Sequence, residues 1–389
     1  MSNPTLRFKS ANGLNFPDTV SCTLSDISKY SKGTIERKNC LFIGNEQLVS
    51  NLGGATLEFR TEAKGTEFNN GDILFGNIRP YLKKVWLSDQ SGIASPDVLI
   101  FKVTDSIPGY LKCILSSERF FNHVAQGYKG SKMPRGDKHQ IMDFRIQCPC
   151  LEEQQKIASF FSTLDQKIEL NERKLEALEK LKKGLLQKIF KQELKFNHSN
   201  QSWANVCLID IADVRDGTHD SPSYVPSGFP LVTSKNLLKN GEIDIESTNK
   251  ISVSDYDNIN KRSKVDVGDI LFGMIGTIGR PVLVKESGFA IKNVALIKPK
   301  ADAVNNVFLY YLFRSDIIFK QLCENKTGGN QKFVSLKIIR NLLIPLPDKD
   351  EQNHIADFLS KFDKKLAIEK QRQKLLLDLK KGLMQQMFV

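Results

Sequence analysis

One stretch of 42 residues, PCLEEQQKIASFFSTLDQKIELNERKLEALEKLKKGLLQKIF, runs from Pro149 to Phe190 and returns near the end of the chain. The second copy, PDKDEQNHIADFLSKFDKKLAIEKQRQKLLLDLKKGLMQQMF, runs from Pro347 to Phe388, at a constant offset of 198 residues. Seventeen of the 42 paired positions are identical, and the alignment needs no gap. Self-similarity at a fixed offset indicates a duplicated structural unit.

Apolar residues in both copies follow the alternating four- and three-residue spacing of a heptad seam. The seam positions are Ile157, Phe161, Leu164, Ile168, Asn171, Leu175 and Leu178, and then Ile355, Leu359, Phe362, Leu366, Leu376, Leu379 and Leu383. Each copy is predicted to form one helix of about 38 residues, roughly 57 Å long at about 1.5 Å per residue. Because a helix with a single apolar stripe needs a partner, we predict that the two copies pair as an antiparallel coiled coil.

Polar residues interrupt the middle of both seams. Asn171 lies on the first seam, and Glu369 and Gln373 lie on the second. Such residues can fix the register and orientation of a coiled coil if they meet near its centre. The alternative is that they face solvent where the helices separate, and the sequence leaves both interpretations open.

Two segments of about 150 residues accompany the repeated helices. GDILFG at 71–76 recurs at 268–273, an offset of 197. LSDI at 24–27 corresponds to LIDI at 208–211, an offset of 184. About thirteen extra residues therefore enter early in the second segment, and we expect GTHDSPSYVPSGFP (217–230) to be the insertion. The predicted division is two domains, 1–148 and 197–346, each followed by a copy of the repeated helix, at 149–196 and 347–389.

The two segments read as α+β domains. Both segments hold short apolar runs rich in Val, Ile, Phe and Tyr and bounded by turn residues. These runs predict strands, as at VLIFKV (98–103), ILFGMI (270–275) and VALIKP (294–299). A single short helix is predicted around 109–125 and another around 305–324. The fold class is therefore α+β, with two α/β-containing domains separated by two long helices.

Composition describes an ordinary globular protein with a strong positive charge. The 389 residues are 40% hydrophobic and 26% charged, which excludes a disordered chain. The net charge is +12, yet residues 151–190 carry 8 basic and 7 acidic side chains, and residues 348–389 carry 9 and 7. Most of the excess therefore lies outside the long helices.

Basic residues outside the helices cluster with glycines and aromatic residues in turn-rich stretches. These stretches are NIRPYLKKVW (77–86), GYKGSKMPRGDKH (127–139) and KTGGNQKFVSLK (326–337). Such patches are typical of surfaces that contact nucleic-acid phosphates, although a solvated loop rich in lysine looks the same. Their recurrence at matching places in both segments favours the DNA-binding interpretation.

The sequence indicates a cytoplasmic protein with no membrane segment. No apolar run approaches the ~18 residues that cross a bilayer, and the N-terminus lacks the apolar core of a signal peptide. The seven cysteines are odd in number and scattered, so we expect reduced thiols. Cys148-Pro-Cys150 has no nearby histidine, and no metal site is predicted there.

A search for catalytic motifs finds little. GxxxxGK[ST] and HExxH are absent, and GMIGTIG (273–279) lacks the dinucleotide-binding spacing. One nuclease-like pattern remains, Pro17-Asp18 followed by Glu36-Arg37-Lys38, which could hold a divalent cation but does not recur in the second segment. The sequence favours a chain without its own catalytic site. The alternatives are a stand-alone Mg²⁺-dependent nuclease and a scaffold that dimerises through the coiled coil.

The duplicated motifs resemble the DNA-specificity (S) subunits of type I restriction–modification systems. The resemblance rests on EQxxIAxF at 153–160 and 351–358, KKGLxQ at 182–187 and 380–385, GDILFGNIRPYLKKV at 71–85, GDILFGMIGTIG at 268–279, GTHDSPSYVPSGFPLVTSKNL at 217–237 and KTGGNQKFVSLKIIRNLLIPLP at 326–347. It covers most of the chain, with the motifs in the same order in both copies.

The resemblance implies two target-recognition domains in a pseudo-twofold arrangement, held apart by the antiparallel coiled coil. Each domain would read one half of a split, asymmetric DNA sequence. It also implies docking of two modification subunits, which bind S-adenosylmethionine and methylate adenine N6, and of two restriction subunits. This chain itself would bind no cofactor and catalyse no reaction.

Candidate DNA-binding residues either match the family's motifs or lie in the basic stretch of the first segment that stands in place of such a motif. In the first segment they are Arg79, Lys83, Lys129, Ser131, Lys132 and Arg135; in the second they are Thr218, His219, Thr233, Ser234, Lys235, Asn236, Thr327, Gly328, Gly329, Asn330, Gln331 and Lys332. The first segment replaces the family's glycine-rich loop with Gly130-Ser131-Lys132-Met133-Pro134-Arg135. Arg and Lys suit phosphates, whereas Asn, Gln, Arg and Ser can read base edges.

Overall fold

The structure, a computed structural model, describes residues 4–194, 196, 202–324 and 333–388. The chain divides into two compact units: unit 1 comprises Met1–Arg173 with Lys370–Val389, and unit 2 comprises Lys174–Glu369. Each long helix therefore contributes one part to each unit. In the described part of the chain, neither these helices nor any other carries an apolar stretch sufficient to span a lipid bilayer.

Unit 1 is a mixed α/β unit. Its elements are β1 (Val20–Thr23), α1 (Leu24–Ile27), β2 (Ser28–Tyr30), β3 (Ile35–Ile43), β4 (Glu58–Phe68), β5 (Ile73–Gly76), β6 (Val85–Leu87), β7 (Gly92–Ala94), β8 (Val98–Val103), α2 (Pro108–Leu115), α3 (Glu118–Gln126), α4 (Lys138–Met142), β9 (Arg145–Cys148) and the first part of α5 (Leu151–Phe190). Pro80–Leu82 forms a 3-10 turn.

Three groups of strands make up unit 1. β2, β8, β5 and β6 form an antiparallel sheet in that order, and β1 pairs with β9. β3, β4 and β7 each pair with the other two and close on themselves, with β3 parallel to β7. β5 lies between β8 and β6 and is buried along its whole length, which explains why its sequence, ILFG, has no polar residue.

Unit 2 repeats this order with one addition. Its elements are β10 (Ala204–Cys207), α6 (Leu208–Ile211), β11 (Ala212–Asp216), β12 (Tyr224–Thr233), β13 (Asn249–Ile251), α7 (Val253–Ser263), β14 (Ile270–Gly273), β15 (Gly279–Leu283), β16 (Ala290–Lys292), β17 (Val294–Pro299), α8 (Asn306–Phe313), α9 (Asp316–Glu324), α10 (Leu336–Arg340), β18 (Leu343–Leu346) and the first part of α11 (Lys349–Met387). The sheets run β11-β17-β14-β15, β13-β12-β16 and β10-β18.

The extra residues of unit 2 enter at two places, so the prediction of one insertion was wrong. Phe42 pairs in parallel with Ile93, and Val232 pairs in the same way with Ile291. The offset between Phe42 and Val232 is 190, midway between the offsets of 184 before and 197 after. About half of the extra residues therefore follow β12, where unit 2 has α7 and the described part of unit 1 has no corresponding helix.

The three predicted strands are present, but each predicted short helix is broken in two. α2 ends at Leu115 and α3 begins at Glu118, because Ser117 donates its hydroxyl to the Ile114 carbonyl and accepts the Phe120 amide. α8 and α9 are separated in the same way, and Ser315 donates to the Leu312 carbonyl at 2.7 Å. These serines satisfy backbone groups that a continuous helix would use itself.

The long helices pair antiparallel in both units, as predicted. In unit 1 Asp165 on α5 accepts from Lys380 on α11 at 2.7 Å. In unit 2 Lys182 on α5 pairs with Asp363 on α11. The predicted seam residues pack within the chain: Ile157, Phe161, Leu164, Ile355, Leu359 and Leu366 are buried, and Ile168, Leu175, Leu178, Phe362, Leu376 and Leu383 are half-buried.

One predicted seam position was wrong. Leu379 is 50% exposed, whereas Lys380 is half-buried and takes its place on the paired face. Continuing the strict alternation of three and four residues after Leu376 gives position 380 and then Leu383. The period of the helix therefore decides the seam, even though the more apolar residue lies one position earlier.

The polar residues in the middle of the seams meet one another. In unit 1 the Asn171 amide donates to Gln373 Oε1 at 3.0 Å, and Asn171 is buried. In unit 2 Lys174 pairs with the buried carboxylate of Glu369. Of the two interpretations that the sequence leaves open, contact between the helices is therefore the correct one.

Candidate nucleic-acid interface

In unit 1 the turn after β5 carries Arg79 at its surface. Arg79 has a φ of 51° and Lys83 has a φ of 52°, the left-handed region that favours glycine. Gly276, the residue of unit 2 at the same offset of 197 as the GDILFG repeat, has a φ of 71°. An arginine held where the duplicate has glycine indicates a side chain retained at the cost of backbone strain.

Main-chain hydrogen bonds join this turn to the basic loop 129–135. The Arg79 amide donates to the Pro134 carbonyl at 2.8 Å, and Ile78 forms an antiparallel bridge with Arg135. Lys129 and Arg135 exchange main-chain hydrogen bonds of 2.8 and 2.9 Å, which close the loop, and Ser131 and Lys132 lie exposed on it. Two predicted basic stretches thus form one surface, the unit 1 loop cluster (residues 77–83 and 129–135).

Carboxylates hold two of the cations in this cluster. Arg135 donates to Asp97 at 2.8 Å, and Lys129 pairs with Asp137. The hydrogen bond from Lys129, together with the amides of His139 and Gln140, lowers the pKa of Asp137 to about 2. Arg79 and Lys132 make no ion pair within the described residues. They are therefore the cations of the cluster that are open to an external phosphate.

Lys83 differs from the other candidates of unit 1. Its ammonium pairs with Glu118 and lies 5.5 Å from the centre of the Phe121 ring. Lys83 is half-buried and its charge is paired, so its main role is to hold the start of α3 rather than to contact DNA.

Replacing Arg79 with glycine should separate stability from DNA binding. Arg79→Gly relieves the left-handed backbone, and we expect the free energy of unfolding to rise by about 0.5–1 kcal/mol. DNA affinity should fall, with the slope of log K against log salt smaller by about 0.9, since one phosphate contact is lost. Lys83→Gly is the matched control, because φ is the same and its ammonium is already paired. Equal salt slopes for the wild type and Arg79→Gly would count against the contact.

In unit 2 Asn293 joins the two loops that sequence reasoning identified. Its backbone N–H donates to the Thr218 carbonyl at 3.1 Å, and its backbone carbonyl accepts from Ser234 Oγ at 3.1 Å. Its Oδ1 lies 2.7 Å from His219 Nδ1. Asn293 has a φ of 54°, a conformation that asparagine tolerates better than most residues. No sequence motif pointed to it.

The TSKN loop (233–236) divides into supporting and exposed residues. Asn236 is buried and accepts from the amide and hydroxyl of Thr233 at 3.0 and 2.7 Å, while its own amide reaches Ser247. Ser234 is also buried. Lys235 is exposed between them. The geometry therefore suits Ser234 and Asn236 to holding the loop, and Lys235 to contacting a phosphate.

Unit 2 repeats the attachment of the second basic loop. Ile275 bridges Phe333, as Ile78 bridges Arg135 in unit 1, at offsets of 197 and 198. The Val334 amide donates to the Met274 carbonyl at 2.9 Å. The predicted contacts Thr327, Gly328, Gly329, Asn330, Gln331 and Lys332 lie outside the described residues.

Comparison with known proteins identifies the family. A family model for the type I restriction modification DNA specificity domain matches twice, over residues 18–180 and 200–377. The chain belongs to the family of type I restriction–modification specificity subunits. These subunits are the non-catalytic component that recognises the DNA sequence.

Individual relatives agree with this assignment. The MjaVIII specificity subunit of Methanocaldococcus jannaschii is 24% identical over 97% of this chain and 94% of its own length. The EcoBI specificity subunit of Escherichia coli is 24% identical over 62% of this chain and 57% of its own.

Solved structures of the same class share the fold. The S subunit from M. genitalium matches with a TM-score of 0.64 at 15% identity, covering 100% of this chain and 99% of that one. The HsdS subunit from Thermoanaerobacter tengcongensis matches with a TM-score of 0.52 at 17% identity, covering 96% and 97%.

In this specificity subunit the repeated EQ pair fastens each long helix to its unit. Buried Gln154 accepts the Ile107 amide at 3.1 Å and donates to the Pro149 carbonyl at 2.9 Å. Gln352 accepts the Asn305 amide at 2.8 Å and donates to the Pro347 carbonyl at 2.9 Å. Ile107 and Asn305 immediately precede α2 and α8. The glutamine of the EQ motif therefore connects the start of α5 to the start of α2, and the start of α11 to the start of α8, by hydrogen bonds.

The glutamate of each pair is buried and has its own partner. Glu153 pairs with Arg7 at 2.5 Å, which raises the pKa of that guanidinium, and it accepts the Phe8 amide at 3.2 Å. Glu351 accepts from the Trp203 indole at 3.1 Å. Each glutamate thus ties the segment before β1 or β10 to the adjacent long helix.

Glu36, one of the residues of the nuclease-like pattern, takes part in an ion pair between two strands. Glu36 lies exposed on β3 and accepts from Lys64 on β4 at 2.6 Å, which lowers the pKa of that carboxyl. Within the described ranges, no three His, Cys, Asp or Glu side chains gather so that they could hold a metal ion. Cross-strand ion pairing accounts for Glu36 in a specificity subunit.

Proposed function

We propose that this specificity subunit reads a bipartite, asymmetric DNA sequence, with one half-site contacted by each unit. It recruits two modification subunits, which bind S-adenosylmethionine and methylate adenine N6, and two restriction subunits. The DNA contacts come from the unit 1 loop cluster and from the corresponding loops of unit 2.

The observation that carries this proposal is that the two units share a backbone arrangement at these loops but have different side chains on it. Both units attach a basic loop to the turn after the GDILFG strand by the same bridge. The loops themselves differ, since GSKMPR (130–135) stands against GGNQKF (328–333), and Arg79 stands against Gly276. Because side chains read base edges, while a shared backbone sets only their placement, the two units should recognise unlike sequences.

Genome-wide mapping of N6-methyladenine tests the proposal. In cells that contain this chain and its modification subunits, we expect methylation at a split sequence with two unlike halves, and its loss when the chain is deleted. Methylation that is unchanged by the deletion would rule the proposal out.

A variant can test the division of labour between the units. Replacing Arg79 and Lys132, the two cations of the unit 1 loop cluster that are open to DNA, with alanine should weaken or relax recognition of one half-site and leave the bases of the other unchanged. Altered bases in both half-sites, with folding intact by circular dichroism, would contradict the assignment of one half-site to each unit.

A further inference from the structure

A buried carboxylate contacts an arginine and a histidine beside the GTH loop (217–219). Asp216, at the end of β11, is largely buried and pairs with Arg262 of α7 through one oxygen. Its other oxygen lies 2.8 Å from His219 Nε2. The guanidinium side chain of Arg262 is 67% exposed and the side chain of His219 is 55% exposed. The carboxylate therefore faces inward, while the guanidinium and the imidazole face solvent.

His219 has an oxygen partner at each ring nitrogen. Asn293 Oδ1 lies 2.7 Å from Nδ1, and Asp216 Oδ2 lies 2.8 Å from Nε2. A neutral imidazole can donate from only one nitrogen, whereas the imidazolium donates from both. The hydrogen bond to Asn293 raises the pKa of His219, and the hydrogen bond to Asp216 and its charge act in the same direction. Arg262 is the charge that opposes protonation.

The surroundings of this group favour an anion. Lys292, which precedes Asn293, donates to Ser221 Oγ at 2.7 Å on the same loop. Arg215 donates to the Arg262 carbonyl at 3.1 Å and so steadies the end of α7. The two cationic side chains of Arg262 and Lys292, and the imidazole of His219, thus lie around residues 218–221. Asp216 and Asp220 are acidic residues of this segment, the first enclosed and the second exposed, and Asp213 pairs with Arg215.

We propose that Asp216 and Asn293 are positioning residues that hold His219, as an imidazolium, together with Arg262 against a phosphate of the DNA backbone. This inference rests on the proposed function. It adds Asp216, Arg262 and Asn293 to the interface and makes binding by unit 2 depend on a proton. Because α7 is the helix that unit 2 has gained, the Arg262 contact belongs to the second half-site only.

The direction of the pH dependence follows from the protonated form being the one that binds. The contact is complete below the ordinary histidine pKa of about 6.5. It is lost as the pH rises through the higher pKa that His219 has in this network. DNA binding should therefore weaken from pH 6 to pH 9.

The test uses the full chain with its modification subunits and a duplex that carries the split sequence found by the methylation mapping proposed above. The slope of log K against log salt is measured at pH 6 and at pH 9. For the wild type we expect the slope to fall by about 0.9 at pH 9, the value for one phosphate contact. His219→Asn should have the smaller slope at both pH values, while His354→Asn, an exposed histidine on α11, should behave like the wild type.

Two substitutions at Asn293 distinguish positioning from a merely structural role. Asn293→Gly keeps the left-handed backbone and removes the acceptor, so the pH midpoint of binding should move down. Asn293→Asp adds a negative charge, so the midpoint should move up. Variants that weaken binding equally at every pH, or a wild-type slope that does not change, would overturn the inference. Absence of specific binding even at pH 6 would instead refute the proposed function.

Discussion

Leu164→Asp should unfold unit 1 at denaturant concentrations where the wild type remains folded. Leu164 on α5 is 6% exposed and packs in one hydrophobic core with Ile157, Phe161, Met384 and Met387. The substitution removes a buried leucine and places a carboxylate in apolar surroundings. The nearby cations are already used, since Lys112 and Lys380 both pair with Asp165. We expect a loss of about 4 kcal/mol or more in the free energy of unfolding.

Leu170→Asp provides the matched control on the same helix. Leu170 is 64% exposed, so the same chemical change there should alter the free energy of unfolding by less than about 0.5 kcal/mol. Urea unfolding followed by circular dichroism measures both variants. Equal destabilisation by the two substitutions would show that the seam is not the buried face of α5.

Gln352→Ala should produce the second large effect, in unit 2. The substitution leaves the buried Pro347 carbonyl and the part-buried Asn305 backbone amide without the side chain that contacts them at 2.9 and 2.8 Å. An unsatisfied buried polar group costs about 1–3 kcal/mol, so we expect a loss of about 2–4 kcal/mol. Gln154→Ala should have a similar effect in unit 1, because the same two contacts recur there.

Asn353→Ala is the control for this prediction. Asn353 is adjacent in sequence and accepts from the Asn305 side chain at 2.8 Å, but it is exposed, so water can replace its hydrogen bond. Its substitution should cost less than about 1 kcal/mol. If Gln352→Ala lowered the free energy of unfolding no more than Asn353→Ala does, the EQ motif would not be what attaches the long helix to unit 2.

The helices were predictable from the sequence, and their errors have a common cause. Heptad spacing is a local pattern, so α5 and α11 were found together with their antiparallel pairing. Leu379 was misplaced because hydrophobicity was preferred over helical period at that position. The breaks at Ser117 and Ser315 were missed because a serine that ends a helix looks the same in sequence as one within it.

The candidate interface was only partly predictable. Basic residues in Gly-rich turns marked the stretches around Arg79, Lys132 and Lys235, and the motif drew attention to His219. Asp216, Arg262 and Asn293 carry no comparable signal. Arg262 in particular lies on α7, which the described part of unit 1 lacks, so the internal repeat could not point to it.

The sequence by itself determined the duplication, the two long paired helices and the family, because each follows from the spacing of residues and motifs along the chain. Only the tertiary structure decided which polar residues lie together. Arg79 meets Pro134, and His219 meets Asn293, across 55 and 74 residues of chain. Such contacts depend on strand pairing and on the conformation of loops between strands, and these are settled by the packing of the whole unit rather than by any local pattern.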